Sequence, residues 1–344
     1  MKASWKKYQL DFKNPSGTSR GILNSKDSYF IFLEDVNKSG TGECGLLRGL
    51  SIDDRPDYEH MLDFICNNIH LGIQQLYSQL MEFPSIQFGL EMAFKDLDSD
   101  NHVLFPSDFT RGRANQAING LIWMGDKSFM SKQVGEKLNS GFRVLKMKIG
   151  AIKLEEELGI LKNLRSEFSS QDLEIRLDAN GAFQFDEAKE LLGRFSDLHI
   201  HSIEQPIAKG QWTEMAELCA NTPLDIALDE ELIGVFTRNK KIELLETINP
   251  QYIILKPSFI GGFQGSEEWI SLCNSRNIGW WVTSALESNI GLSAIAQWNY
   301  TLKNTLPSGL GTGSLYKNNF PSPLFVERGH IYYDSKQQNW NIDL

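Results

Sequence analysis

Lys148, Asp178, Glu204, Asp229 and Lys256 lie along the middle of the chain, each closing a short apolar stretch. The stretches are RVLKMKIG, EIRLDAN, IHSIEQP, LDIALDE and YIILKPS, and the steps between the charges are about 30, 26, 25 and 27 residues. A charge at the end of a buried strand is costly unless it meets an opposite charge or a metal. Asp178, Glu204 and Asp229 are hard oxygen donors of the kind Mg²⁺ takes in small number, leaving positions for water or substrate. Mn²⁺ suits the same donors, whereas a set without His or Cys argues against zinc. Asn180 and Glu230 stand beside two of these acids and are read as groups that orient them. Lys146 and Lys148 are two apart and share one face of their strand. Bringing a lysine from its ordinary 10.4 to the 7–8 useful in a general base corresponds to roughly 4 kcal/mol. A second ammonium, a divalent cation and burial all act in that direction. Lys256 comes four strands after Lys148, so a substrate would lie between them. Lysines on two sides of a divalent ion suit removal of a proton α to a carboxylate, where the enediolate charge needs stabilising as it develops.

Strand ends from consecutive units meet only if the strands form a parallel barrel, whose chemistry sits at that rim. From Asn119 the sequence alternates between strand and helix patterns: INGLIWMG, SKQVGEKLNSG, RVLKMKIG, KLEEELGILKNLRSEF and onward to GWWVTSALES, GLSAIAQWNYTL and LPSGLGTGS. An open doubly wound sheet would place only the strands near its switch point beside a site. Five contributing strands favour the barrel. Residues 1 to about 105 differ: KASWKKYQLDFK and SYFIFLED read as antiparallel strands around the turn-rich NPSGTSRGILNSKD. The loop GTGECGLLRGLSIDD leads into two helical patterns. The expected fold is therefore α/β, a (β/α)7β TIM-like barrel over residues 106–320 with an N-terminal α+β capping domain over 1–105. The tail 321–344 reads as two strands packed back on the N-terminal region.

Composition narrows the function. A chain of 344 residues with 41% apolar content can bury a barrel-sized core. A net charge of −10 and a pI near 5.2 argue against nucleic acid as a partner. No apolar run reaches the roughly 18 residues of a membrane span. MKASWKKYQLDF lacks the apolar core of a signal peptide, and Cys44, Cys66, Cys219 and Cys273 lack metal or redox spacing. The expected setting is cytoplasmic, and the expected partner a small-molecule carboxylate. The sequence does not set an oligomeric state.

In order along the chain, LKMK, RLDANGAF, IEQP, ALDE, ILKPS and SALESNIG, with GTSRG and GEC…GLS before them, resemble the lysine-base subgroup of the enolase superfamily. Within it they are most similar to the o-succinylbenzoate synthase family. The resemblance implies that Lys148 is the base and Lys256 the opposite lysine, with Asp178, Glu204 and Asp229 on Mg²⁺. It implies a reaction too: loss of water from 2-succinyl-6-hydroxy-2,4-cyclohexadiene-1-carboxylate on the way to menaquinone. Members with a histidine base are disfavoured, since no His lies between His201 and His330. Dipeptide epimerases and N-acylamino acid racemases use the same two lysines. The epimerases usually carry an Asp-x-Asp after the eighth strand, where this chain has LPSGLGTGSLYKNN. Glycines here, including Gly311, with Ser308 and Thr312 offer N–H groups and hydroxyls to an anion. Ser284 and Glu287 in SALES, and Arg176 two before Asp178, match the same family. Ser284, Glu287, Gly311 and Thr312 are therefore expected to bind substrate, and Arg176 to support the site electrostatically.

Ser19 and Arg20 in the GTSRG loop, with GLLRGLS (45–51), are expected to close over the mouth and contact the succinyl tail, as glycine-hinged lids do. GGFQG (261–265) fits neither nucleotide fingerprint and reads as a strand–helix turn. Trp280 and Trp281 read as core.

Overall fold

The computed structural model describes residues 1–18, 21–150, 152–334, 336, 340 and 342. The cap opens with a long hairpin, β1 (Lys2–Thr18) and β2 (Gly21–Asp35). They pair from Lys2–Glu34 out to Thr18–Gly21, with a register shift between Asp11 and Ser16. Residues 14–18 and 21–27 of the polar stretch that reads as a wide loop are thus the distal part of the hairpin: ladder bonds need only backbone, so pairing continues where apolar residues stop.

A third strand, β3 (Lys38–Cys44), pairs with β2 and is hidden in the sequence by its glycines. Helices α1 (Tyr58–Asn67), α2 (Gly72–Gln79) and α3 (Pro84–Leu97) follow, and α3 lies directly on β3. A Cβ at Gly40 would stand 2.2 Å from the Ala93 carbonyl oxygen, and one at Gly42 1.9 Å from that of Gly89. Glycine within a strand commonly marks such a close backbone approach. Gly42→Ala is expected to lower stability by at least about 2 kcal/mol, since backbone rather than a side-chain tip must move. Thermal unfolding measures it, and an unchanged Tm would refute this packing.

A short strand, β4 (Gln116–Ala117), precedes the barrel, which begins at β5 (Gly120–Ile122). It continues through α4 (Lys127–Asn139), β6 (Val144–Lys148), α5 (Leu154–Glu167), β7 (Glu174–Asp178), α6 (Phe185–Ser196) and β8 (Ser202–Glu204). Then come α7 (Trp212–Asn221), β9 (Ile226–Leu228), α8 (Arg238–Ile248), β10 (Tyr252–Leu255), α9 (Pro257–Ile260), α10 (Gly262–Asn274), β11 (Gly279–Val282) and α11 (Asn289–Thr301). β5 to β11 form one parallel sheet in sequential order, which rules out the order reversal of a doubly wound sheet. Two residues close it: Ser308 bridges to Ile118 and Gly309 to Thr283. The Asn119 N–H donates to Ser308 O (2.9 Å) and the Gly309 N–H to Val282 O (2.9 Å).

Alternation along each strand divides the roles of its residues. Ile175, Leu177, Ile203, Leu228, Ile253 and Leu255 are buried in the main hydrophobic core. The alternate positions carry Lys146 and Lys148, Arg176 and Asp178, Ser202 and Glu204.

The tail forms a hairpin, β12 (Leu324–Glu327) and β13 (His330–Tyr333). β13 pairs with β4, where Tyr333 meets the buried Phe109 (5.9 Å between rings), and farther along the tail the Trp340 ring lies 5.6 Å from that of His102 in the N-terminal region. The link to the cap hairpin lies just upstream. Tyr316 packs on Phe12 (4.7 Å), Phe320 on Tyr8 (5.2 Å), and Lys13 and Lys317 donate backbone bonds across the seam. Among the described residues no helix is long and apolar enough to cross a membrane.

Candidate active site

Strand register puts Lys148, Asp178 and Glu204 level: Lys148 pairs with Asp178, and Asp178 with Glu204. Asp229 follows β9 directly and Lys256 follows β10, so both project from the same rim. The Lys146 Nζ donates to Glu204 Oε2 (2.5 Å) and lies 2.9 Å from Asp178 Oδ2. The Lys148 Nζ donates to Asp178 Oδ2 (2.9 Å) and Asn180 Oδ1 (2.7 Å). Lys256 donates to Asp229 Oδ2. Asn180, held at φ 47°, turns its Nδ2 to Glu230 Oε1 (3.0 Å).

This layer is buried, so its charges act strongly on one another. Burial would raise the Asp178 carboxyl, but Lys146, Lys148 and Lys256 hold it well below the usual carboxylate range. Burial would lower Lys146, yet Asp178, Glu204 and Asp229 hold it above the ordinary lysine value. Burial likewise opposes the charge on Lys256, and Asp229 outweighs it. Glu204 is pushed upward, first by burial and then by Asp178 and Asp229, against the pull of Lys146.

The three acids are drawn to lysines, and among the described residues no three acids, histidines or cysteines converge as a ready-made cation cage. Their chemistry nonetheless fits a divalent cation. All are hard oxygen donors, and the buried Glu204 Oε1 has no hydrogen-bond partner among the described residues.

Lys146, Lys148, Asp178, Asn180 and Lys256 line a cavity of about 380 Å³, together with Ser284, Gly311 and Thr312. The Ser284 and Thr312 hydroxyls share a hydrogen bond (2.7 Å). Leu286, also on the wall, is held at φ 62°. Its N–H donates to Ser284 Oγ (3.1 Å) and its carbonyl accepts from the Tyr316 hydroxyl (2.7 Å). Cap residues Gly21–Leu23 and Leu47–Leu50 line the same cavity. Ser19 and Arg20 lie outside the described residues.

Two expected site residues are placed elsewhere. Glu287 is fully buried, accepting from Ser258 Oγ (2.5 Å) and the Ala285 N–H (2.7 Å). Both its oxygens are engaged in fixing the turn after Lys256 to the loop that carries Ser284, so it is a positioning residue rather than a substrate contact. Arg176 points away from the acids. It donates to Glu174 Oε1 (2.7 Å) and Pro307 O (2.8 Å) and lies 4.2 Å from the Trp281 ring centre. A guanidinium on an aromatic face is favourable when desolvated, and here it forms part of the barrel floor.

Gln205 was missed as a functional residue, although the IEQP string contains it. It sits at φ 40°; its Oε1 accepts from the Asp229 and Glu231 N–H groups (3.3 Å each), while its Nε2 donates to Glu231 Oε2 (3.0 Å). It thereby holds the turn that presents Asp229. GGFQG resembles an anion-binding loop because it binds one from its own chain: Glu91 accepts from the Phe263 and Gln264 N–H groups (2.6 and 3.1 Å) at the start of α10. Burial pushes the Glu91 carboxyl up to about 8 despite these donors. An acid raised in the folded state keeps its proton there longer than in the unfolded chain, so its contribution to stability is full at low pH and declines between about 4.5 and 8. Glu91→Gln is expected to flatten that decline, by up to about 4 kcal/mol in denaturant unfolding at pH 5 against pH 8. Identical slopes in both proteins would exclude it.

Residues 130–337 match the enolase C-terminal domain-like family. The chain is similar to the o-succinylbenzoate synthase of Desulfotalea psychrophila, 45% identical over 96% of this chain and 98% of the relative. Its fold is similar to the crystal structure of MenC from Desulfotalea psychrophila: TM-score 0.86, 42% identity, covering 96% and 99% of the two chains. A dipeptide epimerase from Enterococcus faecalis, solved with Mg and L-Leu-L-Tyr, shares the fold at TM-score 0.81 and 18% identity, covering 97% and 96%. The chain belongs to the enolase superfamily.

Proposed function

We propose that this chain is an o-succinylbenzoate synthase, a hydro-lyase that removes water from 2-succinyl-6-hydroxy-2,4-cyclohexadiene-1-carboxylate. The carrying observation is the pair Lys148 and Lys256, held on different carboxylates at one cavity. The relative that is 45% identical bears that activity's name. Residues 1–105 are taken as the cap and 106–320 as the catalytic barrel, in a cytoplasmic enzyme.

Asp178, Glu204 and Asp229 would hold Mg²⁺, or Mn²⁺, which when bound offsets negative charge on the ring carboxylate. Lys148, once neutral, takes the proton from the carbon bearing that carboxylate. The C–H electron pair becomes an enediolate, which the Lys256 ammonium faces. The neighbouring C–O bond then breaks, and the hydroxyl leaves as water with the proton carried by Lys148, giving the aromatic ring. Lys146, held charged by two carboxylates, is the electrostatic neighbour rather than the base. Leu23, Leu47 and Leu50, half-buried, give the cavity an apolar roof on the cap side.

Incubation with the cyclohexadiene carboxylate and Mg²⁺ tests the proposal by loss of diene absorbance. No turnover there, with turnover of L-Ala-L-Glu, would replace it by epimerisation. Lys256→Arg separates the two chemistries. Epimerisation needs acid–base lysines on both faces, so the variant should abolish it, whereas dehydration needs only the cation and should persist in part.

A further inference from the structure

We propose that Lys137 and Asn119 form a second carboxylate subsite, which takes the succinyl carboxylate at the flank of the barrel rather than under the cap. The inference rests on the dehydration proposed above, whose substrate is a dianion. Its ring carboxylate belongs with the acid-and-lysine layer, and its second carboxylate needs a partner of its own.

Five cations line the cavity among the described residues, and four are already matched. Lys146, Lys148 and Lys256 face the acids. Arg48, the cap's cation, is held by Asp54 (2.5 Å) with Asp27 at 3.6 Å. Lys137 remains. Its ammonium lies over the Phe142 ring (5.0 Å), and its nearest acidic influence, Glu136, is turned to Lys132 (3.9 Å). Burial lowers its pKa, as expected of a cation with no close counter-charge.

Lys137 stands on α4, outside the strand wall, and reaches the cavity because that wall is thin here. Gly120 has no side chain, so the lysine stem crosses the strand where a Cβ would stand 3.1 Å from its Cδ. The eighth strand is only Ser308–Gly309, and beyond it Gly311 lines the cavity without a side chain. A second chamber of about 360 Å³ shares Lys137, Phe142 and Gly311 with the main cavity. At the opening stands Asn119, 4% exposed, whose side-chain Oδ1 has no hydrogen-bond partner among the described residues. Amide oxygen and nitrogen are interchangeable by a flip, so this side chain can turn an N–H to a carboxylate beside the ammonium. A half-buried cation with no close counter-charge and a buried amide oxygen without a partner, at one opening, are what an incoming anion would satisfy once the amide flips.

The test is calorimetric titration with o-succinylbenzoate and with 2-butanoylbenzoate, which lacks the distal carboxylate, in the presence of Mg²⁺. Lys137→Met and Asn119→Asp should each weaken o-succinylbenzoate binding roughly ten- to hundredfold and leave 2-butanoylbenzoate within about twofold. Equal weakening of both ligands, or o-succinylbenzoate affinity within twofold of the parent in both variants, overturns the subsite. Lys137→Arg keeps the charge and should bind o-succinylbenzoate closest to the parent, which guards against misreading a folding defect. If the parent protein neither binds o-succinylbenzoate nor dehydrates the diene, the proposed function fails, and that result differs from a parent that binds while its variants match it.

Discussion

Lys148→Ala is expected to lower kcat for dehydration by about 10²–10⁴-fold, the usual contribution of a positioned general base. Affinity for o-succinylbenzoate, measured by calorimetry, should change far less, because the ring carboxylate's other partners remain. The neighbouring lysine behaves differently. Lys146 is buried between Asp178 and Glu204, and removing one partner from a buried ion cluster typically costs 3–5 kcal/mol. Lys146→Ala should therefore appear first as a loss of stability, and Lys148→Ala first as a loss of rate with little change in Tm. If Lys148→Ala kept kcat within about tenfold of the parent, the base would have to be another group.

Glu204→Gln is the second large effect. Burial opposes the charge of Glu204, and Asp178 and Asp229 add to that opposition. A divalent ion would relieve that opposition. The amide keeps the shape and one acceptor oxygen but removes a formal charge from the set. Mn²⁺ affinity followed by calorimetry should fall by more than about 100-fold, beyond the usual loss for an outer-sphere partner. Turnover at ordinary Mg²⁺ should fall with it and recover in part as Mg²⁺ is raised. An unchanged Mn²⁺ isotherm would remove Glu204 from the cation site.

The barrel was legible because its strands carry two signals at once. Buried apolar positions such as Ile175 and Leu177 mark the strand, and Asp178 at its end marks the rim. The third cap strand was not legible: Gly40 and Gly42 imitate a turn, and only the helix pressed on them explains their presence. The reach of the hairpin through NPSGT and GILNSKD was hidden likewise, since backbone pairing leaves no side-chain signature. Within the site, side-chain type predicted position for residues on the strands and failed for those whose partners lie far off in sequence. Arg176 shares a strand face with Asp178, yet its head is drawn to Pro307 and Trp281. Glu287 has the composition of a ligand contact but is spent on Ser258 and Ala285. Lys137 reads as one more charge on a polar-faced helix, because nothing local shows that Gly120 clears its path.

The seam between Asp11–Lys13 and Leu315–Lys317 bears on how the molecule is made. The hairpin that supplies part of the cavity's roof leaves the ribosome some three hundred residues ahead of its docking partners Tyr316 and Phe320. The earlier segment must wait, and its loop-closure entropy is offset only once those partners have been translated. Contacts so distant along the chain favour slow maturation, and nascent chains stopped before residue 315 should gather a barrel without acquiring a sheltered reaction chamber.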